Sequence, residues 1–599
     1  MTSGLTWPQL RDLELLELTD AADGWSAASK HADAARERVD GEMSGALAKT
    51  QESESATAAV ERLKRLSENY HYIHTECGLV RASVEGLGIE LAAPQRLLLD
   101  ALEDAAANCY TVHEDGRIDY PAGGENAVTG EMVPGGTVVG NNGLLGPGNS
   151  GLYRDGNGMY VPGTGPGTPA LKSPNPHLAR AQEIADRIAR ALREAREIDD
   201  RYNSALGKLK AAPGLTVDTR TWADVAADVG TVAVAAQSYL ADHLPLDKSP
   251  ADRKEWWDHL GAEQREEYLT SFPDVIGNLD GIPSAVRDEA NRENLTLLIA
   301  KLDGQPESKD MLAGLKGIQT KLQETAEPPM YLLGIGDRGN GRAIVSYGDP
   351  DTSKNVAAYV PGLGTALDGD FADGTLQRAL STKIGADRHD DGSTASIVWL
   401  GYDAPQSIDV ASATSAEHGA PDYNSFMDGI TATNDQKDLH LTAIGHSYGS
   451  RMVGEAAMQP GGIPGTDDII LLGSPGTGAD NAAQLNVGAD HVFVGSAQND
   501  PVTWAPSKAG VVTGLIAGPL NSTLLMPDDQ NWFGTDPASE AFGGRRFRVD
   551  DGPLPLVAGQ GPTPAHSNYF NPAVDPASAD NIARIVAGKS DSITTEAPR

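Results

Sequence analysis

A serine hydroxyl attacks a carbonyl only where it stands clear of its own chain, beside a base and beside free backbone N–H groups. The run Leu441–Ser450 (LTAIGHSYGS) has the make-up to place one there. An apolar strand leads straight into Gly445-His446-Ser447-Tyr448-Gly449, with a glycine two residues away on each side of the serine. Glycine at those places lets neighbouring main chain approach more closely than a side chain would allow. The residues that follow, Ser450–Gln459, are rich in helix formers (Met452, Glu455, Ala456, Ala457, Met458) and stop at Pro460. A strand that turns sharply into a helix at an exposed serine belongs in an α/β architecture.

The flanking sequence agrees. From Pro328 onward, eight segments read as strands: 330–335, 341–348, 355–362, 395–402, 439–447, 468–476, 491–498 and a weaker 545–552. Several are unbroken apolar runs, as strands covered by helices on both faces must be. The first pair is joined by a hairpin-sized turn at Asp337–Asn340, and most others by helix-sized connections. The expectation is a mostly parallel eight-stranded sheet.

Gly-x-Ser-x-Gly between strand and helix resembles the nucleophile elbow of the α/β-hydrolase fold, where the catalytic order is Ser, then Asp or Glu, then His. Of thirteen histidines, only His491 and His566 follow Ser447. His491 opens the strand HVFVGSAQND, and Asp500 lies just past the end of that strand, where the acid belongs. His566, in PTPAHSNYF before a terminal helix over 577–587, is the only histidine downstream of Asp500. Elimination therefore selects Ser447 as nucleophile, His566 as base and Asp500 as the carboxylate that orients it. The oxyanion would take the N–H of Tyr448 and one from the loop after the third strand, NVAAYVPGLGT, with Leu363 the first choice and Gly364 next. His446 reads as a packing or substrate-contact residue.

The remainder of the chain divides by composition. Residues 1–110 read as a helical bundle or hairpin module with a narrow, alanine-rich apolar stripe (Ala32, Ala35, Val39, Met43, Leu47; then Val60, Leu63, Tyr70, Ile73, Cys77, Val80) and a third helix over 93–107. Residues 111–177 are a Gly/Pro/Asn-rich linker that buries no core of its own, with hairpin signals at Asp115-Gly116 and Asp155-Gly156. Residues 178–326 return to helical periodicity, as a separate domain or a cap over the sheet; 327–590 form the α/β domain and 591–599 a tail. Trp256 and Trp257 open a short helix, where packing explains them.

The 65 residues between Asp500 and His566 hold Trp504, Trp532 and Phe533. They cap the site and line an acyl pocket, or they form a surface insertion. Cys77 and Cys109 fall in predicted helices joined near Gly86–Pro94; they face each other across that joint or, the favoured reading, are two reduced packed thiols.

Charge and pattern exclude several classes. A formal net charge of −37 over 599 residues argues against nucleic acid or an anionic membrane surface as partner. No run of about 18 apolar residues occurs, so no transmembrane helix is expected. Zinc spacing and phosphate-loop or dinucleotide fingerprints are missing, so neither metal nor cofactor is expected; a serine mechanism needs neither. The acidic, amphipathic start has no basic region or cleavage site, which predicts no secretory signal peptide and a cytoplasmic location.

Several motifs together carry a closer resemblance. VPGLGT, WLGYDAP (399–405), GHSYGS, Asn-Asp-Pro-Val (499–502) and AHSNYF are similar to an actinobacterial α/β-hydrolase domain family of unknown function. WWDHLGAEQREEYLTSFPDVIGNLDGIPSAVRDEANR (256–292) resembles the helical preface found with that domain, so the likeness covers roughly residues 245–590. The Asp-Pro-Val and His-x-x-Tyr pieces are similar to cutinase-like esterases, whose implied triad falls on Ser447, Asp500 and His566. The long Asp-to-His insertion departs from that pattern and puts an open, polymer-accepting site in doubt. The N-terminal region resembles the helical hairpins of type VII secretion substrates, with Trp25 in an Asp-Gly-Trp-Ser-Ala turn and a Tyr72-x-x-x-Glu76 spacing, although the glycine of their Trp-x-Gly is missing. That resemblance implies export without a cleavable signal peptide.

The function expected is hydrolysis of a small-molecule or lipid acyl ester through an acyl-enzyme, esterase- or lipase-like. The same triad serves a thioesterase, amidase or acyltransferase. A third reading makes the chain a secreted interaction or effector protein whose helical module binds a protein partner and whose hydrolase domain is a scaffold.

Overall fold

Apolar strands without alternation must be covered on both sides, and the computed structural model builds them into one sheet. It describes residues 5–51, 53–126, 129–141, 153–154, 160–161, 175–210, 217–237, 243–324, 328–390, 393–406, 412–504, 530–554 and 564–599. These fall into two units: 1–217 with 227–244, and 218–226 with 245–599.

In the first unit, helices α1 (Trp7–Asp12), α2 (Leu15–Arg38), α3 (Gly45–Thr50) and α4 (Glu54–Ala107) are followed by strands β1 (Thr111–Val112), β2 (Ile118–Tyr120) and β3 (Gly136–Val138), the pair β4 (Tyr153–Arg154) and β5 (Tyr160–Val161), and helix α5 (Pro176–Leu206). The hairpin joint expected at Gly86–Pro94 does not exist, because α4 runs unbroken through it. A Cβ on Gly86 would lie 2.5 Å from the Tyr202 hydroxyl, and one on Gly88 would lie 3.4 Å from Leu18 Cβ. These glycines thin the helix where neighbours pack against it; they do not end it.

The same helix separates the cysteines. Cys77 is buried in the middle of α4 and Cys109 lies exposed just past its end, both as free thiols. At 1.5 Å per residue they are on the order of 45 Å apart along the axis, so they do not face one another. Trp25, expected in a turn, lies inside α2 and is half-exposed. The 111–138 stretch, expected to be coreless, folds by borrowing the helices' core: Ile118 and Val138 are buried with Leu91, Leu98, Ile184 and Ile188. The turn at Asp115-Gly116 joins β1 to β2, while residues 155–159, with the second hairpin signal, lie outside the described residues.

Helix α6 (Thr219–Ala235) spans the boundary between units. The second unit continues with α7 (Pro250–His259), α8 (Ala262–Ser271), α9 (Pro273–Ile276), α10 (Ser284–Leu302) and α11 (Lys309–Gln323), so the 178–326 stretch is shared between the two units. Trp257 is buried, and Trp256 packs on Tyr268 at 5.2 Å. The sheet follows: β6 (Met330–Gly336), β7 (Arg342–Tyr347), β8 (Asn355–Val360), β9 (Thr394–Leu400), β10 (His440–His446), β11 (Asp468–Leu472), β12 (Val492–Gly495) and β15 (Arg545–Arg546), in the spatial order β15-β12-β11-β10-β8-β9-β7-β6. The small pair β13 (Gln530–Asn531) and β14 (Gly534–Thr535) stands apart.

Strands β8 to β12 and β15 run parallel; β6 and β7 form an antiparallel hairpin whose inner strand also pairs antiparallel to β9. Every residue of β8, β9, β11 and β12 is buried, and all of β10 except His440. Helices α12 (Leu376–Asp387), α13 (Thr414–Thr433), α14 (Tyr448–Met458), α15 (Pro564–Ser567) and α16 (Pro576–Val586) complete the unit. This is the α/β-hydrolase architecture expected, with β10 in the interior of the sheet delivering Ser447 at its carboxyl end.

Candidate active site

Ser447 sits between the last residue of β10 and the first of α14, with φ 58° and ψ −129°. A non-glycine residue at positive φ is strained by about 1–3 kcal/mol and persists only where its surroundings over-determine it. Here its N–H donates to the Leu472 carbonyl at 2.9 Å, and its own carbonyl accepts the Ser450 N–H at 3.0 Å. The flanking glycines have steric reasons. A Cβ on Gly445 would lie 2.6 Å from Ser450 Cα, and one on Gly449 would run into the Val360 carbonyl.

The two other expected residues meet. His566, on α15, places Nδ1 2.8 Å from Asp500 Oδ2. Asp500 is fully buried just beyond β12. Its Oδ1 accepts the Val502 N–H at 2.9 Å, and its Oδ2 also accepts the Tyr569 hydroxyl at 2.7 Å. That hydroxyl in turn accepts the Ala497 N–H at 3.0 Å. Burial first, and then the Asp500 charge, hold the Tyr569 phenol well above its ordinary pKa, so it stays a donor. We assign the Nδ1–H tautomer to His566 because its partner is a carboxylate, which leaves Nε2 free to accept a proton.

Gly473 ties this pair to the serine. The residue before it, Leu472, accepts the Ser447 N–H. Gly473 itself, at φ +52°, abuts the other two: a Cβ there would lie 2.7 Å from Asp500 Oδ2 and 2.8 Å from His566 Nδ1. Three strand ends, of β10, β11 and β12, thus converge on one place.

The loop after β8 closes the other side. A Cβ on Gly362 would meet Ser447 Cβ at 2.6 Å and the Tyr448 nitrogen at 2.9 Å. The loop therefore lies directly on the elbow, with Leu363 next along the chain and 46% exposed. Tyr448 begins α14, where a main-chain N–H has no intrahelical acceptor. Gly364 is corrected as a donor: its N–H already donates to the Pro405 carbonyl at 2.8 Å, and its φ of +76° turns the loop. The Tyr402 hydroxyl donates to the Pro361 carbonyl at 2.7 Å and braces the same loop.

His446 is buried behind the serine, and its Nε2 lies 2.7 Å from the His566 carbonyl oxygen. His491 is elsewhere: its Nδ1 lies 2.7 Å from Asp468 Oδ1, at the amino end of β11. Within the Asp500–His566 excursion, Phe533 is buried against the Tyr448 ring at 5.6 Å, edge to face. Residues 505–529 and 555–563, most of the expected cap, lie outside the described residues.

Sequence reasoning passed over Gly473 and the hydroxyl of Tyr569. Only the last left a local signal, a tyrosine three residues after the histidine. Among the described residues, no group of three His, Cys, Asp or Glu is placed to hold a metal ion, and no helix is long and apolar enough to cross a membrane.

Comparison with known proteins agrees with this fold. The family described as Alpha/beta hydrolase matches residues 337–509, a span that contains Ser447 and Asp500 and stops short of His566. An uncharacterized protein of Mycobacterium tuberculosis is 29% identical over 380 residues, covering 57% of this chain and 56% of the relative. An uncharacterized protein of Mycobacterium bovis is 35% identical over 237 residues, covering 35% of this chain and 84% of the relative. The chain spans little more than half the length of the larger relative.

Proposed function

We propose that this chain, which belongs to the alpha/beta hydrolase family, cleaves an acyl ester through the triad Ser447, His566 and Asp500. The observation that carries the reading is the strained elbow at Ser447 sharing Leu472–Gly473 with the His566–Asp500 pair. A residue held at positive φ between strand and helix, against two residues already hydrogen-bonded as base and acid, has no evident structural purpose.

In this mechanism, Ser447 Oγ attacks the acyl carbonyl while His566 Nε2 takes the serine proton. Asp500, hydrogen-bonded to Nδ1–H, stabilises the imidazolium. The tetrahedral oxyanion accepts the N–H groups of Tyr448 and Leu363. Collapse expels the alcohol, protonated by His566, and leaves an ester on Ser447. Water, deprotonated by the same imidazole, then attacks that ester, releasing the carboxylic acid and regenerating Ser447.

The test is labelling of the full chain with a fluorophosphonate, beside Ser447→Ala and His566→Ala, followed by p-nitrophenyl esters of graded chain length. We expect strong labelling of the wild type, abolished by both substitutions, and turnover lowered by at least about 10³-fold in each. Labelling that survives Ser447→Ala would refute the nucleophile. Absence of labelling in the wild type would refute the hydrolytic reading as a whole.

A further inference from the structure

We infer that His446 is a positioning residue: it anchors the main chain of His566 from behind the nucleophile, and Arg378 selects the tautomer that lets it do so. The inference rests on His566 being the catalytic base.

Arg378, on α12, places Nη1 2.6 Å from the Tyr359 hydroxyl and 3.4 Å from His446 Nδ1. A guanidinium is only ever a donor, so His446 Nδ1 accepts. The ring hydrogen must then lie on Nε2, which donates to the His566 carbonyl at 2.7 Å. His446 is 5% exposed, and burial first, then the nearby His566 and Arg378, hold its pKa well below the ordinary value. It stays neutral, with one donor and one acceptor, each used once.

The rings of His446 and His566 lie 4.5 Å apart, tilted by 31°, while Tyr569 and Phe570 meet His446 edge-on at 6.0 and 6.1 Å. The charged or titratable groups facing His446 are therefore Arg378 from α12 and His566 and Tyr569 from the segment beginning at α15. Tyr359 stands behind Arg378, and Asp500 behind Tyr569.

This arrangement answers a mechanical need. Helix α15 has only four residues, Pro564–Ser567, too short to hold its own orientation. Asp500 fixes the imidazole through Nδ1, and His446 fixes the main chain from which that imidazole hangs. His446 is also the residue before Ser447. The strand end that sets the nucleophile thereby sets the base, and any shift of β10 carries both together.

The test compares His446→Phe, which keeps a ring but no donor, with His446→Gln, whose amide places an N–H donor near the position of Nε2. Full-length variants are measured by steady-state turnover of a p-nitrophenyl ester, by the rate of fluorophosphonate labelling and by thermal melting. We expect kcat and labelling rate to fall about 10- to 100-fold in His446→Phe with KM within about threefold, the pattern of a misplaced base. His446→Gln should recover to within about fivefold of wild type.

Arg378→Met removes the tautomer lock from a partly exposed position and should lower kcat by about three- to tenfold, with Arg378→Lys closer to wild type. The Arg378 pair decides the matter if His446→Phe does not fold. Wild-type kcat in a folded His446→Phe or in Arg378→Met, or equal losses in His446→Phe and His446→Gln, would overturn the inference. A Ser447→Ala protein that still turns over would instead remove the triad reading beneath it.

Discussion

Gly473 gives the sharpest way to break the site without touching a reacting group. A methyl added there would lie 2.7 Å from Asp500 Oδ2, 2.8 Å from His566 Nδ1 and 2.9 Å from His566 Cε1. Moving Nδ1 from 2.8 Å to the 3.4 Å of ordinary contact asks the ring to retreat by about 0.6 Å. The Nδ1–Oδ2 bond starts at 2.8 Å and has only about 0.4 Å before it leaves the normal range. Asp500 cannot follow the ring, since Val502 and Tyr569 hold it. The wedge must therefore open the bond or swing the imidazole away from Ser447, and misplacement on that scale costs roughly 10²-fold in rate.

The φ of +52° adds strain of about 1–2 kcal/mol for any residue with a side chain. A control separates the two effects. Gly543 has φ +77° with open space where its Cβ would go, so Gly543→Ala suffers the strain without the wedge. We expect Gly473→Ala to lower kcat for p-nitrophenyl butyrate by about 30- to 300-fold, and Gly543→Ala to stay within about threefold of wild type. Gly473→Ala within threefold of wild type, in a folded protein, would refute the convergence of Ser447, Asp500 and His566 on this glycine.

Tyr569→Phe removes one hydroxyl that serves two buried partners. The loss of a hydrogen bond to a charged group and an orphaned amide together cost roughly 2–4 kcal/mol; a denaturation midpoint unchanged from wild type would contradict this. The opposite end of the sheet should respond to pH. Burial opposes the charge on His440, but its hydrogen bond to Asp468, the charges of Asp468 and Asp467 and the Val586 carbonyl outweigh burial and raise its pKa. Stability from that pair is thus complete below the unfolded histidine value of about 6.5 and is lost as pH rises through the higher folded value. The melting difference between wild type and His440→Gln should shrink from pH 6 to pH 9; a constant difference would sink the assignment.

Much of this was legible in sequence because the sheet is covered on both faces. Burial on both sides writes each strand as an unbroken apolar run, and the parallel order writes helix-sized spacings between them. The candidate triad was legible because few histidines follow the serine, and His491 and His566 separate by chain order; in the fold they lie at opposite ends of the sheet. What failed was the reading of local breakers. Gly86, Gly88 and Pro94 speak for a turn by propensity, yet α4 passes through them because contact with Tyr202 and Leu18 outweighs propensity. Gly473 and Arg378 were illegible for a different reason: their meaning lies in which distant residues they touch, and no local pattern records that.

The strain at Ser447 also says where the site's geometry is decided. Holding φ at +58° costs about 1–3 kcal/mol, whereas fully burying a leucine or isoleucine stabilises by about 1.5–3 kcal/mol each. Leu441, Ile444, Leu471 and Leu472, all without exposure, flank the elbow on β10 and β11. The burial of these four side chains thus outweighs the strain with margin. Glycines 362, 445, 449 and 473 then remove every Cβ that would keep the loops apart. Ser447, Asp500 and His566 are brought together by burial from below and by missing side chains from around.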